Sequence, residues 1–408
     1  MSFQPKKHQK PYVIVVALDS LNGIQAAHIF ARHNIPIIAI AKDSKHYGCY
    51  TRVCEKIIFT DTGSEKFIKV LETLGPKLEQ KAVLVPCTDM NVLLISRNRR
   101  KLEKWYHVVL PNPDVLEMLM NKVEFYNYAQ KNGIPIPTTF FLNSKADVEH
   151  AIKKLIFPCV LKPPMSSVPE WERNSKLKAY KISSPAELIK IYERFKGDVK
   201  NLIVQDWIEG TDVNLYSCNC YFNAQSEPIV TFVARKLRQW PPVTGESSLG
   251  EECRDDVVLE ETVSLFQSAG LSGLGYVEIK RDTRTGKYFI IEPNIGRPTG
   301  RSSIAEAGGV ELLYTMYCDT VGLPLPESLE QKYGNVKWIH LRRDLQSAFY
   351  HWWNGNLTLK GWWRSLRGRK AEALFSWTDP GPFFADFMRA IRLYLQPEER
   401  EKRNYRDL

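Results

Sequence analysis

The chain has 408 residues, 44% hydrophobic and 25% charged, a balance that excludes wholesale disorder and leaves room for one large α/β domain or two to three modules. The net charge of +10 is uneven: from Lys337 to Leu408 fourteen Lys/Arg face eight Asp/Glu, and six of the ten tryptophans fall in the same stretch. The body is therefore only mildly basic, and no nucleic-acid partner is expected of it.

The basic start MSFQPKKHQK precedes an apolar stretch, Tyr12 to Leu18, that is short for a secretory signal and is closed by Asp19. No apolar run reaches the roughly 18 residues of a membrane-spanning helix. Eight scattered cysteines without a CxxC pair suggest reduced thiols in a cytoplasm-like compartment.

The segments 12–18, 36–41, 56–59, 82–86 and 107–110 read as buried parallel strands, spaced for a crossover helix between each pair. This is a Rossmann-like α/β unit. Asn22-Gly23 opens its first helix, but residues 18–25 read LDSLNGIQ, without the glycine fingerprint of a dinucleotide site. Near residue 111 the texture changes. Asp114 is the expected N-cap of a helix running through MLMNKVEFYNYAQKN to Gly133. An extended IPIPTTFFL, a helix around 144–155, strand PCVLKP, a helix over 185–196, strand NLIVQDWI and β-rich segments to 294 follow. Their unequal grouping favours an α+β domain. After residue 322 a Pro-marked linker leads to the tail. The boundaries read from this texture are 1–113, 114–322 and 323–408, the last a helical Trp/Arg-rich cap or extension.

YVEIKRDTRTGKYFIIEPN reads as a hairpin with Arg284-Thr285-Gly286 as its loop, Gly286 taking the left-handed position. In that register residue 283 faces 287 and Glu278 faces Glu292, with Asn294 on the same side. Two facing carboxylates repel unless a cation lies between them. Oxygen-only donors suit Mg²⁺. Lys162, at the end of its strand, is placed to meet a phosphate as a point charge, and Lys122 lies in the preceding helix. Arg235, Lys236 and Arg238 are further candidates for an acidic substrate, with a solvated basic strand as the alternative.

In this order Lys122 followed by NGIPIP, Lys162 in VLKP, VQDWIEGTDV, Glu278 and EPN at 292–294 resemble the ATP-grasp superfamily over about residues 12–320. EPNIGRP with AEAGGVELLY is similar to the carboxylate–amine ligases linked to surface polysaccharide or peptide modification. The resemblance implies a preATP-grasp unit followed by the ATP-grasp unit. It implies ATP phosphates on Lys122 and Lys162, and adenine along Val204, Gln205, Asp206, Trp207 and Ile208. Asp212 would meet the ribose hydroxyls, and Glu278, Glu292 and Asn294 one or two Mg²⁺, with Mn²⁺ able to substitute. Arg297 would neutralise the transferred phosphoryl group, and Arg301, which continues from the metal strand, is a second anion-binding candidate. The substrates would be ATP, a carboxylate and an amine or amino acid. An ATP-grasp kinase or carboxylase, and a non-catalytic nucleotide- or glycan-binding protein, are the alternatives. The stretch after Lys162 lacks the family's Gly-rich cover; Ser166 and Ser167 are its phosphate-binding candidates.

In the tail, Leu341, Leu345, Phe349 and Trp353, and again Phe384, Phe387 or Met388, Ile391 and Leu395, recur at helical spacing. The plainer expectation is a cap whose aromatics are core. The alternatives are contact with a membrane surface, which would place the protein at the inner face of a membrane, or with an acidic glycan.

Overall fold

A computed structural model of the protein describes residues 3–164, 169–175, 177–242 and 245–395. Strands β1 (Val13–Val16), β2 (Ile37–Ala41), β3 (Lys56–Phe59), β4 (Ala82–Pro86) and β5 (Tyr106–Val108) form a parallel sheet in the order β3-β2-β1-β4-β5. Covered on both faces, β1, β2 and β4 are buried at every position, which explains their continuous apolar runs. Strand order reverses between β1 and β4, so a crevice opens at their carboxyl ends. The helix Leu21–Arg32 starts there, its Ser20 cap accepting from the Gly23 amide. Only glycine fits at 23, because a Cβ would collide with the Ala17 carbonyl.

The single helix expected over 114–132 is two. Asn112, not Asp114, caps Pro113–Met120, and Pro113 takes the first turn, where its missing N–H costs nothing. At Asn121 the backbone turns extended and the side chain accepts from the amides of Val123 and Glu124, starting Lys122–Lys131 afresh. Lys122 therefore stands at a helix start. Strands β6 (Thr139–Leu142), β7 (Cys159–Lys162), β8 (Tyr180–Ile182) and β9 (Leu202–Asp206) make an antiparallel sheet ordered β6-β9-β7-β8. It has its own core, in which Trp171 stacks on Phe195 at 4.4 Å.

The third sheet holds β10 (Leu215–Phe222), β11 (Pro228–Trp240), β12 (Glu246–Glu252), β13 (Gly273–Arg281), β14 (Tyr288–Ile295), β15 (Lys337–Ile339) and β16 (Lys370–Glu372), in the order β14-β13-β10-β11-β12-β15-β16. One face of it packs into the core that covers the first sheet: Cys218, Val277, Ile279 and Ile290 meet Val92 and Leu110 there. The region after residue 323 is not purely helical, since β15 and β16 extend this sheet from β12. Its helix Leu341–Trp353 lies against β11 and β12. The fastener is Asp344, fully buried, which accepts from Arg238 Nε at 2.8 Å and Nη2 at 2.9 Å and from Trp362 Nε1 at 3.0 Å. Arg238 is thus not open to a substrate carboxylate, and Arg235, half-buried, is paired with Glu251 at 2.6 Å.

Removing one partner of a buried ion pair leaves the other charge desolvated and unpaired, at a cost of roughly 3–5 kcal/mol. Asp344→Ala is expected to lower unfolding stability by that order in a denaturant titration, and Arg238→Met/Asp344→Leu together by much less than the sum of the single changes.

Candidate active site

The hairpin β13–β14 pairs Glu278 with Glu292 and Tyr276 with Asn294, while Ile279 and Ile290, fully buried, hold the opposite face in the core. The expected facing of the two acids is present, by a different route. Asp282 N donates to the Lys287 carbonyl and Gly286 N to the Asp282 carbonyl, so the loop has four residues, Thr283–Gly286, with Gly286 at φ 72°. A β-bulge after Glu278 absorbs the one-residue offset, since Ile279 pairs with Ile290 rather than Ile291.

Each carboxylate has its own lysine. Lys122 Nζ lies 3.1 Å from Glu292 Oε2, and Lys236 Nζ lies 3.6 Å from Glu278 Oε1. Burial opposes ionisation of Glu292, but Lys122 and then Lys162 overcome it and hold its carboxyl well below the ordinary range. Lys162 donates to the Tyr126 hydroxyl at 2.6 Å, which in turn donates to the Ile291 carbonyl at 2.6 Å. Burial, with Lys122 nearby and only Glu292 opposing, pulls the Lys162 ammonium from 10.5 to about 7. Two lysines and a glutamate from three elements thus converge, a set of charges fitted to a polyanion.

The strand β9 departs from expectation. It is flanked by β6 and β7, so the backbones of Val204 and Gln205 are committed to ladders on both sides. Asp206 N donates to Thr138 O and Trp207 N to Pro158 O. Backbone N–H contacts to a base from this segment must therefore come from beyond Trp207. The Gln205 amide donates to Thr139 Oγ1, and the Asp206 carboxylate accepts from Ile156 N. The ammonium groups of Lys181 and Lys280 lie 4.4 and 4.9 Å from the centroid of the Trp207 ring. Ile208 is buried. Asp212 begins a short 3₁₀ turn; burial raises its pKa, and its Oδ1 accepts from Gln239 Nε2 at 2.8 Å. The Gln239 carbonyl accepts from Ser347, so the helix Leu341–Trp353 is joined through β11 to Asp212.

Arg297 is more engaged than its sequence position suggests. Its Nε lies 2.5 Å from Asp89 Oδ1 at the start of the helix Asp89–Arg97, and its Nη2 donates to Asn294 Oδ1 at 2.7 Å. Burial disfavours its charge, but Asp89 outweighs it and fixes the guanidinium as a cation. The Asn294 oxygen is therefore turned to Arg297 rather than held open beside the two glutamates. Arg301, buried, donates to Ser217 Oγ at 2.9 Å; burial lowers its pKa against the pull of Glu278. Ser217 is the cross-strand neighbour of Glu278, and Asn219 that of Tyr276. Arg301 Nη1, Asn294 Nδ2 and both amide atoms of the buried Asn219 have no hydrogen-bond partner. Buried donors are rarely left so, and this group invites an anion. Sequence reasoning missed Asp89, Tyr126 and Asn219. The alternation of β10 carried a signal only for Asn219, a polar residue between Cys218 and Cys220.

The donor chemistry of Glu278 and Glu292 fits Mg²⁺, hard oxygens with no imidazole or thiolate, whereas Asn294 could join them only by turning its oxygen away from Arg297. Ser166 and Ser167 lie outside the described residues.

No protein-family model matches the chain. It is 26% identical over 238 residues to D-aspartate ligase of Enterococcus faecium, covering 55% of each chain. To D-alanine--D-alanine ligase of Polynucleobacter asymbioticus it is 24% identical over 219 residues, 50% of this chain and 60% of the relative. The chain thus spans little more than half the length of these curated relatives. Among solved structures it resembles N5-carboxyaminoimidazole synthetase of Staphylococcus aureus, with a TM-score of 0.61, 14% identity, and coverage of 81% and 82%. The biotin carboxylase domain of Hydrogenobacter thermophilus 2-oxoglutarate carboxylase, solved with MgADP, also gives 0.61 at 14% identity, covering 79% and 72%.

A polyphosphate placed on Lys162 restores its charge. Between about pH 7 and the ordinary lysine value of 10.5, binding of such a polyphosphate, with tripolyphosphate as the probe, is expected to draw a proton from solution. Titration calorimetry near pH 8 in buffers of different ionisation enthalpy reads this uptake, and Lys162→Met is expected to abolish it.

Proposed function

We propose that the chain is a carboxylate–amine ligase of the ATP-grasp superfamily that forms an amide through an acyl phosphate and releases ADP and phosphate, a reading supported by its likeness to D-aspartate ligase and D-alanine--D-alanine ligase and by its fold. The observation that supports this most directly is the pair Glu278–Glu292 with Lys122 and Lys162 beside it, next to a cluster of unspent buried donors. A carboxylate oxygen attacks the γ-phosphorus and the bond to ADP breaks. The amine then attacks the acyl carbon, the C–O bond to phosphate breaks, and the amine loses a proton. Charge neutralisation and positioning do the catalytic work in such a transfer.

Lys122 and Lys162 would hold the phosphates. Trp207, Ile208 and Asp212 would receive the base and ribose, with Gln205 and Asp206 shaping the strand end behind them. Glu278 and Glu292, with Asn294 if its oxygen turns from Arg297, would hold Mg²⁺, or Mn²⁺ in its place, an ion that would supply positive charge to polarise the phosphate oxygens. Arg297 would face the transferred phosphoryl group, with Asp89 as its positioning residue. Arg301 and Asn219 would bind the acid substrate. On this reading residues 1–113 are the preATP-grasp unit, 114–322 the ATP-grasp unit and 323–408 an extension whose exposed surface meets an acidic partner. The amine is taken to be an amino acid, as the names of the curated relatives suggest.

The test is phosphate and ADP release across a matrix of acids and amines, with bicarbonate included. Turnover that needs both an acid and an amine supports the ligase; turnover with bicarbonate and no other acid would replace it with a carboxylase. Glu292→Ala and Arg297→Met are each expected to lower kcat by on the order of 10²–10³. Asn219→Ala should raise KM for the acid while leaving nucleotide affinity unchanged.

A further inference from the structure

The apolar stripes of the C-terminal region face solvent. On the helix Leu341–Trp353 the buried side is Arg343, Asp344, Ser347 and Ala348, whereas Leu345, Phe349, Trp352 and Trp353 are exposed, Trp353 to 75%. The next helix, Leu359–Ser365, is tied to the first by the bond from Trp362 to Asp344 and leaves Leu359 and Trp363 about 70% exposed. On the helix Gly381–Leu395, Phe384, Met388, Ile391 and Leu395 are also exposed. Scattered exposed apolar residues are ordinary, but rows at helical spacing on three successive helices mark a contact surface.

Charge selects the partner. Between residues 341 and 395 there are nine Lys/Arg and four Asp/Glu, and all four acids are spent inward. Asp344 is held by Arg238, Asp386 by Arg342, and Asp379 by His28, Thr51 and the Arg52 amide. Glu372 accepts from the amides of Leu341, Leu374 and Phe375. Lys360, Arg364, Arg367, Lys370 and Arg392 remain exposed. We propose that this face binds the surface of an anionic membrane, with its Trp, Phe and Leu side chains in the interface and its Lys and Arg side chains on the lipid headgroups. A sugar chain has no use for the aliphatic rows of Leu345, Leu359, Ile391 and Leu395. A second copy would bring two cationic faces together. Among the described residues no helix is long and apolar enough to cross a membrane, so the contact is peripheral.

Flotation of the full chain with vesicles of phosphatidylcholine alone, or with added phosphatidylglycerol, reads the contact. The protein is expected to float with the anionic vesicles only, and to be released by high salt. Lys360→Glu/Arg364→Glu/Arg367→Glu should weaken partitioning by on the order of a hundredfold, and Trp353→Ser/Trp363→Ser by roughly tenfold or more. Thermal midpoints are expected to match the parent, which separates lost binding from misfolding. Failure of the parent to float, equal flotation with neutral vesicles, or a dimer that Trp353→Ser/Trp363→Ser converts to monomer would each overturn the proposal. Flotation needs no turnover, so its outcome is independent of the ligase assay.

Discussion

The constraint on which the site depends is that two carboxylates, Glu278 and Glu292, must face each other across one rung of a hairpin whose reverse side is core. Ile279 and Ile290 fix that reverse side, and a slip of one residue would drive the acids inward and the isoleucines out. Facing like charges destabilise a strand pair, and here each is balanced by a lysine from a different element: Lys122 from a helix start, Lys236 from β11. The repulsion between the acids does not by itself demand a metal. A divalent ion bound by both glutamates would take over the charge that the lysines now balance, leaving their ammonium groups available to phosphate oxygens.

The N-terminal α/β unit is not a passive neighbour. Its sheet shares a core with the hairpin, and its strand order opens the crevice in which the helix Asp89–Arg97 begins. Asp89 in the first turn of that helix meets Arg297, which also grips Asn294. One guanidinium thus ties the switch point of the first sheet to the strand that carries Glu292. An arginine held this way has a fixed orientation, so its charge can act on its surroundings without reorganising.

Much of this was legible in the sequence because it follows from local pattern. The five parallel strands announced themselves as continuous apolar runs, and the ordered set of Lys122, Lys162, Glu278 and Glu292 carried the resemblance to ATP-grasp enzymes. Where the reading failed, the deciding interaction was non-local or fell on a single residue. Asn121 breaks a helix that periodicity joins, through two side-chain bonds no period reveals. The bulge at Ile291 corrected an expected loop length that was one residue short. Gln205 and Val204 look free on paper, but β9 acquires neighbours on both sides from strands 41–66 residues earlier. Asp89 and Tyr126 carry no motif; they matter only because Arg297 and Lys162 arrive beside them.

The C-terminal region shows why helical periodicity leaves direction undetermined. Its rows of Leu, Phe and Trp have the spacing of a core-facing stripe, and by hydrophobicity alone they would be turned inward. Asp344, Asp379 and Asp386 turn inward instead, because each finds an arginine or histidine on the body or on a neighbouring segment. Once those acids are buried and paired, the helices are pinned with their aromatic rows outward and the outer surface loses its negative charge. A single arrangement of ion pairs therefore settles both the docking of the extension and the character of the face it presents. Since Ser347 on the first of these helices bonds the Gln239 carbonyl and the Gln239 side chain bonds Asp212, whatever presses on that face does so one hydrogen-bonded residue away from the Asp212 carboxylate.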